Sequence, residues 1–306
     1  MSWFLIALGA PFLWAIVNIA DKYLVEKFSD RDKEKSSGGL VLFSSLIGIF
    51  IAILIFIFTK QVLNISLLDK GLLFLNGGLT IIWIIFYLYA LEIEDISSIV
   101  PLFRIVPVFG YIFGYIFLGE ILSLYQIIGS IIILIGSFFI SIDFTKSKKI
   151  FKIRMVIYII CACLAIAISG IIFKFVTIDG NFWVSSFWEY FGLGFFGLII
   201  YMFIPKYRNQ FMDMNRKGGI KIFFINIISE LMSVSGNLMT NFAILLAPVT
   251  MVYMVSSFQP AMVLIFTILG TKFFPDVIKE NISRKVMIPK MIAILIMIVG
   301  SIFLFI

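Results

Sequence analysis

The amino-acid sequence predicts an all-α membrane protein of ten transmembrane helices, arranged as two inverted five-helix repeats. Three observations carry that expectation. Hydrophobic residues make up 62% of the chain and charged residues 13%, more apolar surface than a soluble domain of 306 residues has room to bury. Apolar runs of membrane-crossing length recur along the whole chain, and lysine and arginine gather in alternate connections between them. Segments of the first half are echoed in the second, with the charge pattern turned over.

The runs are 2–21, 38–58, 71–91, 96–118, 122–142, 154–175, 182–203, 221–246, 248–270 and 286–306. Each approaches the roughly 20 residues that a helix needs to cross hydrocarbon. The start, Met1–Ser2–Trp3–Phe4, lacks the basic segment of a cleavable signal, so the first run is expected to stay as a helix. Short connections from span three to four, four to five and eight to nine make those helices antiparallel neighbours.

Charge sets the orientation. Lys22, Lys27, Arg31, Lys33 and Lys35 follow span one, and Lys146, Lys148, Lys149, Lys152 and Arg154 follow span five. Lys206, Arg208, Arg216, Lys217 and Lys221 follow span seven; Lys272, Lys279, Arg284, Lys285 and Lys290 follow span nine. The opposite connections hold only Lys60 and Lys70. The positive-inside rule makes the basic face cytoplasmic, with both termini outside a cytoplasmic (inner) membrane. The basic pI near 9.3 is therefore a topology signal and points to no nucleic-acid partner. The charge run from Asp30 to Lys35 is a solvated loop.

The echoes divide the chain into 1–147 and 148–306. Ala15 to Lys22 resembles Ala167 to Lys174, Leu118–Gly119 echoes Leu269–Gly270, and Gly136–Ser137 echoes Gly300–Ser301. Asn76, Thr80, Trp83 and Tyr87 keep the spacing of Asn226, Glu230, Ser233 and Asn237. Five spans is an odd number, so the second half is inverted in the membrane. In transport folds such a repeat supplies two access states around a midplane site.

Span eight carries the densest polar signal. Asn226, Glu230, Ser233, Asn237 and Asn241 fall within an arc of about 80° and extend over about 22 Å of helix. A carboxylate near the middle of a membrane helix faces protein or water. The stripe lines an internal cavity or supplies interhelical hydrogen bonds.

Much chemistry is excluded. Histidine is absent, and Cys161 and Cys163, the two cysteines, sit together in an apolar run without partner ligands, so no zinc, haem or redox cofactor is expected. No serine-nucleophile motif or phosphate-cradling loop is present.

Trp14, Ala15 and Asn18 in span one, the five-helix halves, and a proline-bearing fourth span ending in Leu118–Gly119–Glu120 before Gly129 and Gly136 resemble the drug/metabolite transporter (DMT) superfamily. The ten-helix branch with two EamA-type repeats is the nearest resemblance, and it extends over the whole chain. It implies secondary transport of a small metabolite, with spans three, four, eight and nine nearest the pathway. The second half departs from the pattern, with Thr271 where the first has Glu120.

Three charges lie well inside spans: Arg104, Glu189 and Glu230. Arg104, between Pro101 and Pro107, either holds a substrate anion or pairs with a glutamate; the prolines free backbone carbonyls, which a membrane protein tolerates around a cavity. Glu230, in the polar stripe, is the candidate for a proton or a substrate amine. Glu189, ahead of Gly192 and Gly194, either binds substrate or belongs to a close helix contact. Trp83, Tyr87, Asn237, Asn241 and Gln259 are expected to shape the pocket. Asn18 is expected to bond a neighbouring helix, and Gly110 and Gly114 to form a packing surface. Lys22 and Lys174 either meet cavity mouths or snorkel to the interface.

The functional expectation is alternating-access export or exchange of a small polar metabolite, amino-acid-like in class, by a monomer or homodimer in the bilayer. Flipping of a lipid-linked substrate is the alternative. A membrane enzyme is disfavoured because no nucleophile, metal cluster or acid pair lies at a membrane face.

Overall fold

The computed structural model describes residues 2–28, 37–93, 99–141, 152–273 and 284–306. These residues contain helices and no strand. The chain is an all-helical, multi-span membrane protein. Ser2–Ala20, Ser37–Phe58, Leu67–Leu91, Ile153–Thr177, Phe182–Phe203 and Val249–Leu269 are long and apolar enough to cross a bilayer. Leu102–Leu118, Leu124–Ile140 and Met287–Phe303 are shorter apolar helical stretches.

The elements in order are α1 (Ser2–Phe28), α2 (Ser37–Phe58) and α3 (Leu67–Leu91); a 3₁₀ turn Val100–Ile105 leading into α4 (Val106–Leu118); α5 (Leu124–Ser141), α6 (Ile153–Thr177) and α7 (Phe182–Phe203); α8 (Pro205–Leu246); α9 (Val249–Val255), a 3₁₀ turn Ser256–Phe258 and α10 (Gln259–Phe273); and α11 (Arg284–Phe303). Helix starts follow from local chemistry. Ser66 caps α3 by accepting from the Asp69 amide at 3.0 Å. Asn181 caps α7 by accepting from the amides of Trp183 and Val184 at 2.9 and 3.3 Å. Such caps satisfy amides that a helix leaves without partners.

One expectation needs correction. The basic stretch after span seven is not an irregular loop. It is the first arm of α8, which starts with Pro205 and runs to a kink at Gly219. Proline suits the first helical turn, where its missing N–H is not needed, and residues 206–217 contain no helix breaker. Gly219 has φ 66°, a left-handed conformation open to glycine, and there the helix changes direction. Span nine is broken by the Ser256–Phe258 turn ahead of Pro260, where Ser256, Ser257 and Gln259 make the sequence polar.

Helix α2 packs on α7, α1 on α8, α3 on α6 and α7, α4 on α6 and α9, and α5 on α11. A close backbone approach joins α3 to α7. A methyl group added at Gly77 would overlap backbone atoms of Glu189 and Leu193, and one at Gly192 would overlap the Phe74 carbonyl. Small residues that let membrane helices approach this closely supply packing where no hydrophobic force drives helices together. Gly194 meets Ile49 and Gly197 meets Ser45 in the same way on α2. Phe74, Phe191, Phe195 and Phe196 close the rest of the α3–α7 seam, with ring centroids 5.1–5.9 Å apart.

Candidate functional site

Helices α1, α2, α3, α6, α8 and α9, with both 3₁₀ turns, enclose a cavity of about 180 Å³. Glu230, Ser233, Asn237 and Asn241 of the polar stripe line it, with Thr240 beside them. Asn226 does not: it is buried, and its amide lies 3.9 Å from the Met214 sulfur on the first arm of the same helix. Helix α3 behaves alike. Thr80, Trp83 and Tyr87 line the cavity, while Asn76 turns away to Glu189. In each helix the first polar residue of the matched set packs against protein and the next three reach the cavity.

Arg104 lies in the first 3₁₀ turn and lines the cavity from the side of α4. Among the described residues it meets no carboxylate. Its Nε donates to the Ser137 hydroxyl of α5, and Ser137 in turn donates to the Ser257 carbonyl at 2.9 Å. Of the two alternatives for Arg104, pairing with a glutamate is therefore absent. Glu230 lines the same cavity and accepts a hydrogen bond from Ser44 of α2. Ser44 was not singled out in the sequence, although a serine pair in the apolar run 38–58 was a signal for it.

Glu189 is set apart. It is 2% exposed, outside the cavity lining, and both carboxylate oxygens are taken: Asn76 Nδ2 donates to one at 3.2 Å and Asn241 Nδ2 to the other at 2.9 Å. This ties α3, α7 and α8 together where the glycines bring α3 and α7 close. Asn241 thus reaches both the cavity and Glu189. Asn237 also lines the cavity and donates to the Tyr190 hydroxyl at 3.4 Å.

Aromatic rings form much of the remaining wall. Trp83 and Tyr87 lie 6.2 Å apart, and Phe103 lies 5.8 Å from Tyr87. The Tyr87 hydroxyl donates to Asn18 of α1 at 3.3 Å, the neighbour bond expected of Asn18, which also reaches the cavity. Trp14 and Tyr253, not anticipated, complete the wall; Trp14 donates to the Ser233 carbonyl and Tyr253 to the Ile166 carbonyl. Gln259 lines the cavity where α10 begins.

Lys174 is neither at the cavity nor snorkelling. It is buried and paired with Glu120 at 2.7 Å. Gly119, with φ 64°, turns the chain back under α4, and Gly114 leaves room for the returning carboxylate. Gly110 packs on Tyr253, so both glycines of that pair serve close contacts. The side chains of Thr271 and Lys22 lie outside the described residues.

Cys163 is buried, and its thiol points to the Leu102 carbonyl at 3.8 Å, linking α6 to the turn that holds Arg104. Among the described residues no three His, Cys, Asp or Glu side chains converge as a metal site would require.

No curated protein matches this chain. A solved structure described only as a crystal structure of a protein aligns with 99% of this chain and 96% of its own, at TM-score 0.69 and 12% identity. At that identity the likeness speaks for the fold alone. Residues 1–142 match the EamA-like transporter family. The match covers the first 142 of 306 residues and makes that part of the chain similar to EamA-like transporters.

Proposed function

We propose that the protein is a secondary active transporter that exports or exchanges a small polar metabolite, amino-acid-like in class, by alternating access about the cavity. One observation carries this reading. A cationic and an acidic side chain, Arg104 and Glu230, face the same enclosed space, each held by a serine hydroxyl rather than by the other. Left apart, each has hydrogen-bonding capacity for a bound molecule. Burying two unpaired charges is costly unless something else completes them. A zwitterion offers both complements at once.

In this reading Arg104 binds the substrate anion, and Glu230 takes a proton or the substrate amine. Asn237, Asn241, Trp83, Tyr87 and Gln259 shape the pocket. Glu189 acts from behind by fixing the Asn241 amide.

The division into repeats 1–147 and 148–306 draws support from packing. Exchanging each span for its counterpart turns the α1–α8 contact into α6–α3, and the α2–α8 contact into α7–α3; all four contacts are present. Such a repeat lets one half adopt the conformation of the other and so open the site to the opposite face. By the charge bias the basic loops face the cytoplasm and the termini lie outside.

The test is uptake of labelled substrate into vesicles holding the purified protein, after a thermal-shift screen of amino acids, nucleosides, polyamines and phosphorylated sugars. A compound that raises the melting temperature, since it binds the folded state, and accumulates unchanged supports the reading. Movement of a lipid-linked reporter between leaflets, with no soluble compound taken up, would replace it with the flipping alternative.

A further inference from the structure

One 3₁₀ turn leads into α4 and the other lies between α9 and α10, near positions that the repeat matches, and one side chain of α5 joins them. Ser137 accepts from Arg104 Nε and donates to the Ser257 carbonyl at 2.9 Å. That bond uses the Nε–H of the guanidinium and leaves its terminal amino groups for other partners. One of them, Nη2, is closed off from water without any acceptor, and the nearby Ser257 hydroxyl is buried without a partner as well. Both residues line the cavity. A buried donor left unpaired costs free energy, more when it is charged, and proteins seldom tolerate one without a reason.

Two buried donors without partners, on two residues of the cavity wall and one of them a guanidinium, call for an oxyanion. Among the described residues of the lining, Arg104 is the one cation and Glu230 the one carboxylate. The planar fork of arginine fits a carboxylate through parallel hydrogen bonds. A phosphate dianion would bring a second negative charge into a space that already holds Glu230. We infer that the Arg104–Ser257 corner is the subsite for the carboxylate of the transported molecule, with Ser137 as its positioning residue. This rests on the cavity being the transport site, and it narrows the substrate class to carboxylates.

The geometry adds a coupling. An anion on Arg104 pulls on a side chain that is tied through Ser137 to the backbone of the opposite half. The subsite and the contact between the two turns thus share one side chain, Ser137. Ligands can shift a conformational equilibrium only by binding its states differently, and this link supplies such a difference.

The test uses the full-length purified protein and three matched probes for each of several neutral amino acids: the acid, its amide and its aminophosphonate. Binding is read by thermal shift and calorimetry. The acid is expected to bind at least about tenfold tighter than the amide, the size of a hydrogen bond to a charged group. Arg104→Gln should abolish that preference. Ser137→Ala should shrink the acid-to-amide ratio, and Ser137→Thr, which keeps the hydroxyl, should restore it. A merely structural role for Ser137 would weaken acid and amide alike and leave the ratio unchanged. Equal binding of acid and amide, or tighter binding of the phosphonate, would overturn the inference while leaving transport intact. Failure of all three probes to bind or be transported would overturn the inference together with the functional reading beneath it.

Discussion

Lys174 Nζ lies 2.7 Å from Glu120 Oε1 and donates at 2.8 Å to the Ala247 carbonyl, while Glu120 Oε2 accepts from the Val249 amide at 2.8 Å. One buried ion pair therefore joins the ends of α4 and α6 to the junction between α8 and α9. The junction needs it, because a backbone amide and carbonyl released between two helices have no water to turn to within a membrane. Removing one partner of a buried pair leaves an uncompensated charge and costs about 3–5 kcal/mol. Lys174→Met and Glu120→Gln should each lower the melting temperature of the detergent-solubilised protein. The double variant Lys174→Met/Glu120→Met should recover part of the loss. If the double variant is less stable than either single one, the pair is not acting as a unit.

Glu230 is held by Ser44, a weak tether that glutamine preserves. Glu230→Gln should fold with little change in melting temperature, yet lose uphill transport in vesicles. Ser44→Ala should keep transport and change its affinity. Equal uphill uptake by Glu230→Gln and the parent would remove Glu230 from proton or amine handling.

The opposite pattern is expected at Glu189, whose oxygens are both occupied by asparagines. Glu189→Ala leaves the Asn76 and Asn241 amides without acceptors, at about 1–3 kcal/mol for each unsatisfied group. A large fall in stability is expected, measured by thermal denaturation. Substrate affinity should change mainly through Asn241.

Gly77 and Gly192 face backbone across the α3–α7 seam, so an added methyl has no flexible side chain to displace. Gly192→Ala is expected to cost at least about 1–3 kcal/mol as an overpacked contact. Gly71→Ala, with open space around it, is the control and should be neutral or slightly stabilising by helix propensity. Matching losses at both positions would mean that the seam is not close-packed.

The orientation is open to labelling. In a Cys161→Ala/Cys163→Ala background, Lys60→Cys should react with an impermeant thiol reagent from outside intact cells, and Lys206→Cys only after permeabilisation. The reverse result would turn the molecule over and place both termini in the cytoplasm.

Much of the helical architecture was legible in the sequence because lipid imposes simple rules. Span length, apolar composition and the sidedness of lysine and arginine are one-dimensional quantities. The break in span nine was legible too, from Gln259 before Pro260 with Ser256 and Ser257. The first arm of α8 was not, since its polar composition reads equally as loop and as helix. At the candidate site, the stripe on α8 announced a polar face, but periodicity specifies only a direction around one helix. It could not separate Asn226, which packs on Met214, from Glu230, four residues on and facing the cavity.

By itself the sequence determined that the chain spans a membrane as helices, which face of α8 avoids lipid, and that Arg104, Glu189 and Glu230 sit where charges are costly. Those conclusions rest on local composition and on the price of burying polar groups in hydrocarbon. The tertiary structure alone decided their partners: Arg104 to Ser137, Glu230 to Ser44, Glu189 to Asn76 and Asn241, Lys174 to Glu120. Each of these bonds joins residues at least 33 positions apart. Which acid stays free to meet a ligand depends on how close α3 and α7 come, and glycines at Gly77 and Gly192 set that distance only once the two helices have met.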